Sequence, residues 1–284
     1  MANITTTRTW FITGASTGFG RILAEEVLKG GGKVIATARS RDKVADLEEK
    51  YPEKARAFAL DVTDPAQILS IVAQTLTTFG PVDVLVNNAG YGLAGGIEEA
   101  TEEEFMPVFE TNVFGLIRVT RAFLPHFRKQ RSGNIVNLSS IGGLIGSAGW
   151  GYYNASKFAV EGFSEALAVE LAPLGVHVTI VEPGPFRTDF LGRSGVEAKE
   201  RIADYDSTAG KTREYFHNQA GKQKGDPLRA VHAIIQSVES PQPPLHLVLG
   251  ALALQRMRGK LDQWKAELNT WESTTVGADF PEGE

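Results

Sequence analysis

The sequence predicts one doubly wound α/β domain, a parallel sheet covered by helices on both faces. Three observations lead to it. Strand-like and helix-like segments alternate along most of the 284 residues. A glycine-rich turn, Thr13-Gly14-Ala15-Ser16-Thr17-Gly18-Phe19-Gly20, comes directly after the first strand-like segment. Residues 82–87 are largely apolar and β-branched, the profile of a strand buried on both faces.

Taken in order, residues 9–13 read as the first strand and 19–29 as a helix with Ile22, Leu23, Val27 and Leu28 apolar. Residues 33–38 form a second strand, 41–50 a polar helix and 57–60 a short third strand. Asp64-Pro65 supplies an N-cap and an N1 proline for a helix to about Phe79. After the strand at 82–87, Thr101 and Glu104 make a capping box. Pro107 should kink or split the helix that follows, leaving it unbroken only from about Thr111. Residues 134–139, 152–171 and 176–181 read as strand, long helix and strand. The stretch 186–225 is rich in charge and glycine and has weak helical periodicity. Asp226-Pro227 caps a helix to about Val238, 245–249 is a final strand, and the tail beyond Trp271 is expected to be loose. Nothing resembling a repeat or a domain-scale linker interrupts the series, so residues 1–284 read as one domain.

Composition excludes several classes of function. A net charge of −5 and a pI near 5.7 argue against a nucleic-acid footprint, which needs a clustered basic face. The absence of cysteine removes disulfides, thiol nucleophiles and cysteine-ligated zinc. The five histidines form no His-Glu-x-x-His pattern, so no metal is expected. The apolar run 245–254 is too short to span a bilayer, and residues 1–9 lack a hydrophobic signal core. A cytoplasmic protein with no membrane partner is the expectation.

Three glycines after the first strand let the backbone turn tightly and approach a pyrophosphate, and the helix N-terminus offers it free N–H groups. The spacing differs from Gly-x-Gly-x-x-Gly and lacks the lysine of a P-loop. At the end of the second strand stands Ala38-Arg39, with Arg41 close behind and no acid. A carboxylate there would hold a ribose 2′-hydroxyl, whereas an arginine suits a 2′-phosphate, so NADP(H) is favoured over NAD(H). Asn87-Asn88-Ala89-Gly90 and Ser139-Ser140 end two further strands, on the edge where such sheets bind ligands. The two asparagines could equally brace neighbouring strands, and paired serines are ordinary turn chemistry.

Tyr153 and Lys157 lie four residues apart in a helical run and so share a face. Tyr152, five residues from Lys157, falls about 140° away. An ammonium ~4 Å from the Tyr153 phenol would favour phenolate by ~4 kcal/mol at an effective dielectric of ~20. That would draw a phenol pKa of about 10 toward neutrality and make a general acid or base.

These stretches together (TGASTGFG, NNAG, Asn112, Ser139-Ser140, YNASK and Pro183-Gly184) resemble the short-chain dehydrogenase/reductase family in its non-extended branch. The resemblance covers about residues 8–250, and the run 156–188 is similar to the 17β-hydroxysteroid and retinol dehydrogenase subgroup. It implies a Rossmann-like sheet of about seven strands in the order 3-2-1-4-5-6-7. It also implies a tetrad of Asn112, Ser140, Tyr153 and Lys157. Ser140 would hydrogen-bond the substrate oxygen, Tyr153 would exchange its proton, and Lys157 would hold the nicotinamide ribose while acidifying Tyr153. Asn112 would hold a water that relays protons from Lys157. For the cofactor it implies Gly14, Ser16, Phe19 and Gly20 at the phosphates, Asp61 and Val62 near the adenine, and Asn88, Ala89 and Gly90 at the ribose. Pro183, Gly184 and Thr188 would hold the carboxamide. Many NADP-using relatives carry a basic residue where this chain has Thr17, so the 2′-phosphate site rests on Arg39 and dual cofactor use stays open.

The expected activity is hydride transfer between NADP(H) and a ketone, aldehyde or secondary alcohol. A nucleotide-sensing regulator, an NAD-dependent alcohol dehydrogenase and a sugar epimerase or dehydratase are the alternatives. The stretch 186–225 is expected to be a substrate lid carrying Phe190, Leu191, Tyr205, Tyr215 and Phe216, with residues 251–284 as an extension. A wall at 142–151 with Leu144, Ile145 and Trp150 suggests a largely apolar small-molecule substrate. The family habit of pairing through the helices holding Asn112 and Tyr153 implies a homodimer or homotetramer.

Overall fold

Every residue of strand β1 (Thr9–Ile12) is buried, and its alternate side chains feed two separate cores. The computed structural model describes residues 5–192 and 195–280. The side chain of Leu191 and residues 1–4 of the stretch read for a leader lie outside them. In the sheet, β1 sits between β2 (Lys33–Ala38) and β4 (Val84–Asn87). Beyond β2 lies β3 (Ala55–Ala59); beyond β4 lie β6 (Gly133–Leu138), β7 (Val176–Pro183) and β9 (His246–Leu249). All pairings are parallel and the order is β3-β2-β1-β4-β6-β7-β9. This is the expected order once two short strands, β5 (Gly92–Ala94) and β8 (Gly195–Glu197), are set aside; they pair with each other.

Trp10 and Ile12 point to one face, against Leu23 and Val27 of α1 (Gly18–Lys29) and Ile234 of α8 (Pro227–Glu239). Phe11 points to the other, where α3 (Pro65–Thr78), α5 (Leu116–Gln130) and α6 (Gly151–Leu171) bring Ile68, Phe123 and Leu167. Burying each such side chain fully is worth roughly 1.5–3 kcal/mol. With both faces covered, the strands carry apolar runs in place of alternation. Strand order reverses between β1 and β4, which opens a crevice at the carboxyl ends of those strands.

The caps at Asp64, Thr101 and Asp226 form as their sequences require. Five features depart from expectation. The third strand starts two residues earlier, at Ala55, where Val34 and Ala55 pair. Residues 41–50 divide into a 3₁₀ turn, Arg41–Lys43, and a short helix α2, Ala45–Lys50. Pro107 lies inside α4 (Glu102–Phe109) without splitting it, and the irregularity comes just after, as a π turn at Glu110–Gly115. That wide turn carries Asn112 inward and seats Gly115 on Val62, where a Cβ would lie 2.8 Å from Val62 Cγ2. The stretch 186–225 contains β8 and a helix α7 (Lys211–Gln219), and its ends are joined by a bridge between Phe186 and Gly225. Finally, the tail is not loose beyond Trp271: one helix, α9, spans Ala251–Val276.

Candidate active site

A cleft of about 970 Å³ runs along the carboxyl edge of the sheet at the crevice between β1 and β4. At one end the backbone of the glycine turn forms a cradle. Gly14 has φ +64, and a Cβ on it would meet the Ala89 backbone at 2.9 Å. A Cβ on Gly20 would lie 2.4 Å from Asn88 Nδ2. The N-cap of α1, Thr17, makes no side-chain bond to the helix, so the first N–H groups of α1 remain free for an anion. A dinucleotide's phosphates fit this cradle.

Around it lie the other expected cofactor positions. Ser16, Thr17, Phe19, Arg39, Asp61, Val62, Ala89 and Gly90 all line the cleft. Gly20 does not; it is buried behind the turn, where only a hydrogen fits against Asn88. Asn88 lines the cleft, but its amide is occupied, donating to the Thr13 and Gly14 carbonyls at 2.9 Å each. It locks the glycine turn, as the bracing alternative for the asparagines foresaw. Asn87 braces too, donating to Thr120 Oγ1 and Asn137 Oδ1. Arg41 is engaged with Glu48 and the Ala57 carbonyl. Arg39 has no hydrogen-bond or ion-pair partner among the described residues. Pro183, Gly184 and Thr188 line the cleft beyond the end of β7.

Ser140, Tyr153 and Lys157 meet at the middle of the cleft. Ser140 Oγ accepts from Gly142 N at 3.0 Å, which fixes its rotamer. Tyr153 is nearly buried, with its ring 5.5 Å from that of Trp150 and 5.4 Å from that of Phe190. Lys157 Nζ donates to the Leu138 carbonyl at 2.6 Å and lies 5.9 Å from the Tyr153 ring centre. Tyr152 faces away, stacked on Phe105 at 4.2 Å.

The expected acidification of Tyr153 is overturned. Burial pushes its phenol up to about 12, against the opposing hydrogen bond with Ser140. Burial also pulls Lys157 down to about 8, with the Glu161 charge holding it up. The ammonium is hydrogen-bonded to the Leu138 carbonyl, and for the phenol desolvation is the largest cause.

Asn112 does not line the cleft. Its amide donates to Tyr91 O (2.9 Å) and Ser156 Oγ (3.1 Å), and its Oδ1 accepts from Tyr91 N (3.0 Å). Both amide protons are therefore spent on braces. The expected water relay would have to use the second lone pair of Oδ1.

Behind Lys157 lies a group that the sequence reading missed. Glu161, one turn on, accepts the Ser139 hydroxyl, and Glu182 bonds His246 Nδ1 at 2.6 Å. Burial raises Glu161 to about 7, with Glu182 adding to the effect and Ser139 opposing it. Its contribution to stability is therefore complete below about pH 4.5 and lost as pH rises through about 7. Glu161→Gln should melt higher than wild type at pH 8, by up to about 3 kcal/mol, and show no gain at pH 4.5 or below. Melting curves at the two pH values test this.

The far end of the cleft is lined by Trp150, Phe190, Val196 and Tyr215, with Leu252 and Arg256 from the first turns of α9. Phe216 is buried beneath Trp150, 6.1 Å between ring centres. Tyr205 turns away to Glu98. Leu144 and Ile145 do not line the cleft; Ile141, Gly142 and Ser147 stand there in their place. The lid is pinned by Glu99, which accepts from Arg213 Nη2 (2.7 Å) and Ile202 N (2.9 Å). No local motif announces Leu252, Arg256 or Arg213, because each reaches its partners across elements far apart in the chain, whereas the four-residue spacing from Tyr153 to Lys157 runs on to Glu161 and could have found it.

A family model described as short chain dehydrogenase matches residues 8–198. The chain is 35% identical over 273 residues to Oxidoreductase BOA17 of Botryotinia fuckeliana, covering 96% of this chain and 99% of that protein. It is 37% identical over 254 residues to 3-ketodihydrosphingosine reductase of Bacteroides thetaiotaomicron, covering 89% and 91%. It is also 37% identical over 257 residues to human retinol dehydrogenase 8, covering 84% and 80%. The crystal structure of a short-chain dehydrogenase from Streptomyces avermitilis superposes with a TM-score of 0.91 at 44% identity, over 97% of this chain and 100% of that one. ElxO with NADP bound superposes with a TM-score of 0.73 at 30% identity, over 88% and 100%.

Proposed function

The chain belongs to the short-chain dehydrogenase family and is an oxidoreductase, and on that premise we propose that it reduces an apolar ketone or aldehyde with NADPH, with Tyr153 as the proton donor. The observation that carries this reading is the meeting of Ser140, Tyr153 and Lys157 in one cleft with the phosphate cradle. When bound, the nicotinamide supplies the hydride. The chain holds the dinucleotide through the Gly14 turn, the free N–H groups of α1 and the positions Asp61, Val62, Ala89 and Gly90. Pro183, Gly184 and Thr188 take the carboxamide, and Lys157 the ribose. Ser140 donates to the carbonyl oxygen and orients it toward Tyr153. A phenol is protonated at neutral pH, so Tyr153 holds the proton that the reductive direction consumes. The aromatic end of the cleft, formed by Trp150, Phe190 and Tyr215, offers an apolar surface to the body of the substrate.

For the cofactor, Arg39 stands at the end of β2 with no acid beside it and faces the cleft. A charge-assisted bond to a 2′-phosphate is worth roughly 1.5–3 kcal/mol. Arg39→Asp is thus expected to lower the preference for NADPH over NADH by roughly 10- to 150-fold, read as the ratio of kcat/KM for the two cofactors. An unchanged ratio would remove Arg39 from the phosphate site.

The pocket favours a substrate with a bulky or extended apolar body. The reductase of 3-ketodihydrosphingosine and the retinol dehydrogenase among the relatives, whose names specify apolar substrates, support that class. The test is NADPH oxidation across long-chain ketones, retinoids, steroids, short aldehydes and acyl thioesters, with NADH in parallel. Turnover confined to polar substrates would overturn the apolar assignment, and no turnover anywhere would favour a sensor.

A further inference from the structure

Among the described residues, nothing buries the last half of α9. Residues 261–276 are exposed at every position, although they carry Leu261, Trp264, Leu268 and Trp271, which are 49–65% exposed to solvent. An isolated helix of this length is marginal in water, and Asn269, Thr270, Ser273, Thr274 and Thr275 are weak helix formers. The large side chains are not scattered. Leu254, Met257, Leu261, Trp264, Leu268 and Trp271 follow one another at alternating spacings of three and four residues. That is the a/d pattern of a helix that supercoils with another. Leu254 and Met257 begin the seam beside the body of the protein, and the remaining four continue it into solvent.

We infer that residues 261–271 of α9 pair with the same segment of a second copy of this chain as an antiparallel two-helix coiled coil. Four seam side chains from each copy would bury roughly 1,000 Å² in total, near the lower bound for a specific interface. Charge selects the orientation. In a parallel pair the flanking positions would set Lys260 against Lys265 and Glu267 against Glu272, like charges in every case. In an antiparallel pair, Leu261 is level with Trp271 of the second copy and Trp264 with its Leu268. Arg258 then lies near Glu272 of the second copy, twice over, against one Lys265–Lys265 and one Glu267–Glu267 contact across the two-fold, so attraction and repulsion balance where the parallel pair has four like-charge contacts. The contact is isologous and closes as a two-fold. This surface is separate from the helices that hold Asn112 and Tyr153. The mixed charge of the helix, with Arg256, Arg258, Lys260 and Lys265 offset by Asp262, Glu267 and Glu272, favours a protein partner over an anionic membrane.

The test measures solution mass by light scattering for wild type and for the double variant Leu261→Glu, Leu268→Glu. The variant should fall to half the wild-type mass while keeping its far-UV circular dichroism apart from the α9 contribution, and its melting temperature. An unchanged mass, or a monomeric wild type, overturns the proposal. Flotation of a monomeric wild type with phosphatidylserine vesicles, lost in the variant, would replace it with a helix lying on a membrane. Because the chain has no cysteine, orientation can be read by cross-linking. Mixed Leu261→Cys and Trp271→Cys proteins should form a disulfide on oxidation, and neither alone should. Self-linking of each variant by itself would overturn the antiparallel arrangement.

Discussion

Tyr153→Phe is expected to lower kcat by 10²- to 10⁴-fold, the usual contribution of a positioned general acid, while leaving NADPH affinity within a few-fold of wild type. The substitution removes one oxygen. The ring keeps its edge contacts with Trp150 and Phe190, and Ser140 keeps its bond from Gly142 N. The melting temperature should therefore move little. Stopped-flow NADPH binding and steady-state turnover on the same preparation separate the two effects. Turnover within ten-fold of wild type would end the assignment of Tyr153 as proton donor.

Arg213→Ala is expected to cost about 3–5 kcal/mol, because it leaves Glu99 as an uncompensated buried charge. Glu99 is 2% exposed and Arg213 11% in their side chains, so solvent screens neither. Burial alone would raise the Glu99 carboxyl, but Arg213 and the backbone N–H groups of Ile202 and Gly96 outweigh it and hold the group down at about 2. That stabilisation is present above about pH 4.5 and lost as pH falls through about 2. The gap between wild type and Arg213→Ala should accordingly be full at pH 7 and close in strong acid. Glu99 and Arg213 tie the β5 end of the body to the lid, so the variant should also raise KM and become sensitive to proteolysis within residues 195–225. Pairing Arg213→Met with Glu99→Gln removes the orphaned charge and should recover part of the loss. An Arg213→Ala protein as stable as wild type at pH 7 would show that the pair does not hold the lid.

The strand order came from the resemblance to the family, but the strands and main helices could be read from the sequence because they rest on local signals. These are the β-branched runs of the central strands, the Asp-Pro starts at Asp64 and Asp226, and the glycine turn between β1 and α1. The π turn at Asn112 could not be, since it answers to the packing of Gly115 on Val62. The length of α9 was missed for a related reason: a loose-tail reading weighs Thr and Ser near the end and overlooks a seam that is exposed along residues 261–271. The pairing of β5 with β8 joins segments about a hundred residues apart, and short segments carry no pattern strong enough to announce it.

For the site, helix spacing and strand ends pointed to Tyr153, Lys157, Arg39 and the glycine turn and the family resemblance added the rest, of which Asn112 and Gly20 do not line the cleft. Spacing on a helix places Tyr153 beside Lys157 and excludes Tyr152, and chain order brings Ser140, Ala89 and Gly14 to one sheet edge. Only the tertiary structure decided what the environment does to them. Burial overrode the expected Lys157–Tyr153 attraction and made the phenol a weaker acid, because desolvation depends on every atom around a group and no motif encodes that sum. It likewise committed the amides of Asn88 and Asn112 to bracing and put Glu161 behind Lys157. It also brought Leu252 and Arg256, a hundred residues from Tyr153 in sequence, to the end of the cleft lined by Trp150 and Phe190.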